Sequence, residues 1–542
     1  MGKLRYVFSC NSSGRPYNRG LLLSFRTDDN ACVIFDEDRV IFASESERFT
    51  KRKHDFESPI WALNTYLKHN ESLNLADLEF FSNDYVDHDH HLSHVYEAFY
   101  QSGFKDAAVL VNDGNGSEDD CITLAYIKEG CKPQVFKRFE EINSPCSAYR
   151  FASHAIFGHN HTEGKLMGLA AYGSDNGKEY IKWSESDISI NVDFDQLELD
   201  LNDVKAGKFS EKKDVKFFKD IAFTLQKNFE EALVNVVRYF KSVLDEEGIS
   251  TENFCMSGGG ILNCPTNSKI IDLGLFKNFY ASPQPSDGCA ESIGRAFRNM
   301  EAKGEKIVSR RLETAYLGTT YSSNEIDNPV KVLKNPTKTL CEHISDGGVI
   351  AWYQGGAEYG PRALGHRSFL ADPRSEDMLD GLNKIKGREK WRPLAPIIPE
   401  RLFPLVFNDC NRDMCEFMLR TLEIKDEWKE KLKAVCHFDG STRPQILKRS
   451  INPELYDLMV YYFDQTGIPC LINTSLNING FPIVETPTDL CNLAEEIEFM
   501  DDIPKVMTVF VGDGEVREIL PCPRDAYVYT PVDLCDNNRT DK

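Results

Sequence analysis

The chain has 542 residues and a formal net charge of −22 at pH 7, with 41% hydrophobic and 27% charged side chains. The charge disfavours broad binding to nucleic acid or to an anionic membrane, since both need a basic field, although a local basic groove keeps a nucleic-acid substrate open. The length points to two or more domains, and the sixteen cysteines form no Cys-x-x-Cys pair; with no signal-peptide-like start and no run of about 18 apolar residues, a cytoplasmic protein of a reducing compartment is expected.

In chain order, Leu21–Phe25, Ala31–Phe35 and Val40–Ser44 read as short strands, the last two joined by the polar turn Asp36–Arg39. Helical spacing runs over Ile60–Leu67, and again from Leu92 through Val95, Phe99 and Tyr100 to near Gly103. Strands follow at Ala107–Val111 and Ile122–Ile127. Residues 217–247 predict one long amphipathic helix, and after it come apolar Phe254–Met256, a glycine turn and a helix from near Leu262. The order of strands, helix and glycine turn occurs twice, which suggests a duplicated α/β domain of the actin/hexokinase type closing on a nucleotide. Gly, Thr, Ser, Asn and Pro crowd together over Leu317–Pro336, a linker composition. The expected division is therefore 1–320, a second α/β unit over 337–520 with strands at Gly348–Trp352, Pro469–Asn473 and Val506–Val511, and a polar tail over 521–542.

Chemistry-bearing residues concentrate in a few places. Four of the twelve histidines lie between His88 and His94. His90 and His94, four apart on a helix, share a face and can reach one metal ion; a solvated His-rich loop is the alternative. Asp113-Gly114-Asn115-Gly116 puts a carboxylate on a tight turn, as a metal or hydroxyl ligand or as a plain hairpin. Ser257-Gly258-Gly259-Gly260 leads into a helix near Leu262 and suits phosphate or ribose, unless the glycines serve chain geometry alone. Glu163 and Lys165 open a small-residue helix, facing a pocket or capping it, while His154, His159 and His161 read as surface residues. Asp287 is an N-cap or a ligand. In the second unit, Gly360–Ser368 carries Arg362 and Arg367, followed by Lys386, Arg388, Arg392, Arg443 and the run Asn473-Thr474-Ser475-Leu476-Asn477. So many cations beside Gly, Pro and hydroxyls in an acidic chain suit phosphate or carboxylate binding, against a solvated basic face.

As an ordered set these motifs resemble the O-carbamoyltransferases of nodulation-factor and antibiotic biosynthesis, over roughly residues 25–515. The set runs from Glu45–His54 through His90–His94, Asp113–Gly116, Glu163–Gly173, Ser257–Asn263, Gln354–Arg374, Arg392–Pro396 and Arg443–Gln445 to Asn473–Pro487. The resemblance implies an actin-like (ASKHA) N-terminal domain, similar to the tRNA threonylcarbamoyl-transferases, followed by a YrdC-like α/β C-terminal domain. It implies that carbamoyl phosphate and ATP give carbamoyl-AMP and pyrophosphate in the second domain, and that the carbamoyl group passes to a hydroxyl-bearing acceptor in the first. His90, His94, Asp113 and Asp287 would be ligands of Fe2+ or another divalent metal, and Mg2+ would accompany ATP. Lys386 and Arg388 would be catalytic. Together with Arg362, Arg367, Arg443, Asn473, Ser475 and Asn477, and with Gly114, Gly116, Glu163, Lys165, Gly258, Gly259, Gly260 and Asn263 in the first domain, they would hold nucleotide and carbamoyl phosphate.

His88 and His91 would be bystanders, and pairing as a homodimer is common among the relatives. Asp28-Asp29-Asn30 stands where the family carries His-Asp, so if that His deprotonates the acceptor, its role would pass to Asp28 or Asp29 or be absent. Gln354-Gly355-Gly356 lacks the arginine of the usual Gln-Gly-Arg, and Phe481 replaces a common acidic residue. The alternatives are an actin-like nucleotide-binding scaffold without transferase activity, or a carbamoyltransferase acting on a hydroxymethylated nucleobase.

Overall fold

Ala31–Asp36 and Arg39–Glu45 are largely apolar, largely buried runs that pair antiparallel as a hairpin. Leu4–Phe8 adds antiparallel to that hairpin, and Leu78–Phe80 joins it in parallel. The computed structural model describes residues 4–8, 30–53, 59–70, 73, 78–80, 89–202, 215–408 and 412–521; Leu21–Phe25, Asp28, Asp29, His54, His88 and the tail beyond residue 521 lie outside them. A second sheet repeats the scheme. Gln134–Glu140, Asp120–Lys128 and Asp106–Asn112 are antiparallel neighbours, followed in parallel by Asn253–Ser257 and Asn278–Tyr280.

A parallel neighbour needs a crossover. In the first sheet it includes Ile60–Lys68, and in the second it includes the 32-residue helix Val215–Glu246. That long helix buries Ile221, Leu225, Phe229, Leu233, Val236 and Phe240, the stripe that the spacing predicts. The glycine turn after Asn253–Ser257 forms a 3-10 turn over Gly259–Leu262 before the helix Cys264–Asp272, so that helix starts later than expected.

Two helices carry the site and touch backbone to backbone. His90–Tyr100 starts at an Asp89 cap whose side chain accepts from the Leu92 amide at 2.9 Å. It packs against Asp287–Ala302, where a Cβ on Gly294 would sit 1.9 Å from the Ser93 carbonyl oxygen. Only a residue without a side chain permits that approach.

The second unit is an eight-stranded mixed sheet in the order Val330–Val332, Glu515–Ile519, Val506–Gly512, Val349–Gln354, Arg367–Ala371, Leu471–Ser475, Ala395–Pro399, Gln445–Leu447. The stretch Leu317–Pro336 is thus more than a linker, because Val330–Val332 pairs antiparallel with Glu515–Ile519. Nor does packing divide at residue 337: Met414, Phe417, Met418 and Leu419 belong to the first unit's core. No helix among the described residues is long and apolar enough to cross a membrane.

Replacing Gly294 with Ala forces the two helices apart. The expected cost is about 1–3 kcal/mol, read as a lower denaturant midpoint with unchanged slope, together with weaker metal retention. An unchanged midpoint would show that the helices are not held at this distance.

Candidate functional site

The two helices and two strand ends bring four of the expected residues together. His90 Nε2 lies 3.1 Å from Asp113 Oδ2 and 3.3 Å from Asp287 Oδ1. His94 Nε2 lies 3.2 Å from His90 Nε2, 3.7 Å from Asp113 Oδ2 and 3.5 Å from Asp287 Oδ1. The four donor atoms all lie within 4.8 Å of one another, near the separations of about 3.0–3.4 Å that metal bonds of about 2.1 Å require. Two imidazoles and two carboxylates therefore fit a divalent first-row cation. His94 is fully buried, whereas the Asp287 side chain is 31% exposed, so the cluster opens on the Asp287 side. Asp287 is the first helical residue and Ser286 takes the cap position, which removes the N-cap alternative.

Local backbone sets these orientations. The amides of Gly114 and Gly259 both donate to Asp113 Oδ1, at 2.7 and 3.2 Å, leaving Oδ2 to face the imidazoles. Gly258 and Gly260 do another job: a Cβ on either would lie 2.3 and 2.2 Å from Asn112 atoms, and Gly258 sits at φ +97°. They let two strand ends press together, which is the chain-geometry reading rather than the phosphate cradle.

Behind the imidazoles, His90 Nδ1 lies 3.5 Å from Glu291, which pairs with Arg295 at 2.5 Å. His94 Nδ1 contacts Ser257 Oγ at 2.8 Å. Burial opposes the imidazolium of His90, but the Asp287 charge and hydrogen bonds donated to Asp113, Asp287 and Glu291 outweigh it and hold its pKa well above 6.5. Burial likewise disfavours the Asp287 carboxylate, yet His90 and His94 hold its pKa well below 3.8. Proton and cation would therefore compete for the same acidic pocket. His91 faces away, with Nδ1 2.8 Å from Thr123 Oγ1 and 3.0 Å from Asp120 Oδ2.

A second cluster lies in the eight-stranded unit. Lys386 Nζ donates to Ser475 O at 2.5 Å, to Asn477 O at 2.9 Å and to Asn477 Oδ1 at 2.7 Å, so the three expected partners meet. Around them, burial and the charges of Arg443 and Arg392 push Arg362 down to about 9. Burial with Arg392 and Arg443 does the same to Arg388, and burial with Arg388, Lys53 and Arg392 pushes Lys386 well below 10.5. Nε of Arg362, Nη2 of Arg388 and Nε of Arg443 are buried without a hydrogen-bond partner in the protein. Cations this crowded need anions.

The first unit reaches this place too. Lys165 pairs with Glu389 at 2.9 Å, and Glu163 lies 3.6 Å from Arg150. Arg48 is buried and donates to the carbonyls of Glu358 and Gly360 at 3.2 and 2.9 Å. A Cβ on Gly360 would lie 2.7 Å from the Pro283 carbonyl, four residues before Asp287.

Three expected ligands are spent inside the protein. Arg367 is fully buried; it donates to the carbonyls of Gln354, Gly355, His366 and Glu485 and stacks 3.5 Å over Tyr353, so in this structure it braces the loop. Asn473 donates to Ala363 O at 3.0 Å and Gln445 Oε1 at 2.6 Å. Asn263 exchanges two hydrogen bonds with Gln226 and caps Cys264–Asp272. Gly116 is closed in by packing, since a Cβ there would meet Asp120 at 2.1 Å. A Cβ on Gly356, at the position for which the resemblance implies arginine, would lie 2.4 Å from the Gly318 carbonyl, so a side chain has no room. Conversely, sequence reasoning passed over Glu97, Glu291, Arg150 and the role of Arg48; Glu97, one turn after His94, and Glu291, one turn after Asp287, carry a spacing signal, and the two arginines carry none.

A family model described as the carbamoyltransferase N-terminus matches residues 79–297, and one described as the carbamoyltransferase C-terminus matches residues 341–503. The chain is 30% identical over 426 residues to the nodulation protein NolNO of Sinorhizobium fredii, covering 74% of this chain and 60% of that protein. The chain belongs to the carbamoyltransferase family. It is also 27% identical over 435 residues to the 3'-hydroxymethylcephem-O-carbamoyltransferase of Amycolatopsis lactamdurans, covering 76% of this chain and 77% of that one. Among solved structures, full-length HypF in its phosphate- and nucleotide-bound form aligns at 13% identity and a TM-score of 0.30, over 51% of this chain and 46% of that one, a likeness too slight to bear on function.

The crowded cations of this carbamoyltransferase yield a prediction. An anion raises the pKa that burial and like charges hold down at Lys386, so pyrophosphate binding in the pH range where Lys386 titrates is accompanied by proton uptake, and affinity falls as pH rises through that range. Calorimetry in two buffers of different ionisation enthalpy reads the uptake directly; a buffer-independent heat would remove Lys386 from the anion's field.

Proposed function

We propose that this chain is an ATP-dependent O-carbamoyltransferase that works in two steps, with the two clusters as its two sites. What supports this is the pairing in one chain of an acidic, imidazole-lined cluster with a cluster of buried, uncompensated cations, together with a named O-carbamoyltransferase among its relatives. The strand order repeated in the first two sheets supports an actin-like first domain, and a YrdC-like second domain belongs to the same reading. A scaffold without transferase activity would leave the cations of the second unit unexplained.

In the first step, carbamoyl phosphate gives up its phosphate to water, and the resulting carbamate oxygen attacks the α-phosphorus of ATP. Carbamoyl-adenylate, pyrophosphate and inorganic phosphate result. Lys386, Arg362, Arg388, Arg392 and Arg443 neutralise and align the phosphates, which is chiefly positioning and electrostatics. Ser475 and Asn477 hold Lys386 from behind, and Mg2+ accompanies ATP.

In the second step, the acceptor oxygen attacks the carbamoyl carbon and AMP leaves on its own phosphate oxygen. The residues that would hold a divalent cation, iron(II) by the family reading, are His90, His94, Asp113 and Asp287; there it supplies Lewis-acid polarisation of the carbamoyl oxygen. Gly114 and Gly259 keep Asp113 oriented, and Asp28 or Asp29 takes the acceptor's proton. The acceptor is a small hydroxyl-bearing molecule, and the net charge of −22 favours a cationic one.

The test is incubation with ATP, carbamoyl phosphate and an acceptor panel of aminoglycosides, sugars, polyketide-type alcohols and hydroxymethylated nucleosides, with mass spectrometry for the added carbamoyl group. Lys386→Ala is expected to lower carbamoyl-phosphate-dependent ATP–pyrophosphate exchange by about 100-fold or more. His90→Ala keeps the exchange and loses transfer. Exchange that does not need carbamoyl phosphate, or no AMP with any acceptor, would sink the reading.

A further inference from the structure

Glu97 is 1% exposed, and no Lys or Arg pairs with it among the described residues. Gln101 Nε2 donates to its Oε1 at 2.8 Å, and Ser257 Oγ donates to its Oε2 at 3.1 Å. A buried carboxylate served only by neutral donors is costly, so what it faces matters.

Ser257 is the link. Its oxygen lies 2.8 Å from His94 Nδ1, and its single proton has two acceptors in reach, Glu97 Oε2 at 3.1 Å and Pro285 O at 3.2 Å. With that proton given to Glu97 or Pro285, the hydroxyl oxygen is left to accept from His94 Nδ1–H. That fixes the tautomer and leaves the Nε2 lone pair facing His90, Asp113 and Asp287. The two imidazoles are therefore backed differently. His90 leans on Glu291, whose charge Arg295 already compensates, whereas His94 is connected to a carboxylate whose charge no Lys or Arg offsets.

We infer that Glu97 is a positioning residue for the metal centre, acting through the Ser257 hydroxyl to orient His94 and raise the basicity of its Nε2. This rests on the reading of His90, His94, Asp113 and Asp287 as a metal site. Pro285 O reports on the same hydroxyl from the segment that ends in Asp287, so Ser257 ties the ligand of one helix to the approach of the other.

The test loads the full-length protein with Co2+ as a spectroscopic probe and titrates it against a chelator. Expected are a loss of affinity of about 10–100-fold in Glu97→Gln with a changed ligand-field spectrum and an unchanged melting temperature, a comparable loss in Ser257→Ala, and partial recovery in Glu97→Asp. Because Glu97 acts through Ser257, the double variant should be no weaker than Ser257→Ala alone. Wild-type affinity and spectrum in a folded Glu97→Gln, or additive losses in the double variant, would overturn the inference and leave the metal site standing. If Glu97→Gln does not fold, Ser257→Ala decides: an unaltered spectrum there overturns it equally. Wild-type protein that binds no more Co2+ than His90→Ala overturns both the inference and the metal site on which it rests.

Discussion

The Ser93 carbonyl occupies the space where residue 294 would carry a side chain, and the site depends on that close approach of two helices. One helix brings His90 and His94, and the other brings Asp287 and Glu291. Neither helix holds a complete donor set, and the strand end that presents Asp113 is aligned by a similar economy, with Gly258 and Gly260 pressed on Asn112. Three segments far apart in the chain therefore meet because small residues let backbone touch backbone. The donor separations are set by packing, and the packing is set by where side chains are missing.

The two clusters are electrostatic opposites, and each is uncomfortable on its own. In the first unit, carboxylates outnumber the cations beside them and His90 holds a proton tightly. In the second, guanidinium and ammonium groups depress one another's pKa values. A divalent cation relieves the first and phosphate relieves the second. Such unrelieved charge costs stability, and its presence is the strongest physical sign that the residues serve ligands.

Local features were legible in the sequence. The long helix, the strands around Ala107–Val111 and Phe254–Met256, and the shared face of His90 and His94 follow from period and spacing. So did the meeting of Lys386, Ser475 and Asn477, but only through the resemblance. Arg367 shows what spacing cannot deliver: an arginine among glycines looks like an anion gripper until four carbonyls are found around it. The structural partners of Asn263 and Asn473 were hidden for the same reason, since they lie tens of residues away. Glu97 was passed over because a carboxylate on an apolar stripe reads as a helix-face residue until its buried partners are known.

Two crossings of the expected boundary bear on how the chain is made. Residues Met414 and Phe417–Leu419 complete the first unit's core, and Val330–Val332 finds its only partner strand among the described residues in Glu515–Ile519. A nascent chain halted near residue 320 would expose an apolar surface awaiting segments not yet synthesised. Assembly is therefore late and long-range, with loop closure preceding reward. Separating the two chemical halves at the linker would not yield two proteins; it would leave one of them unfinished.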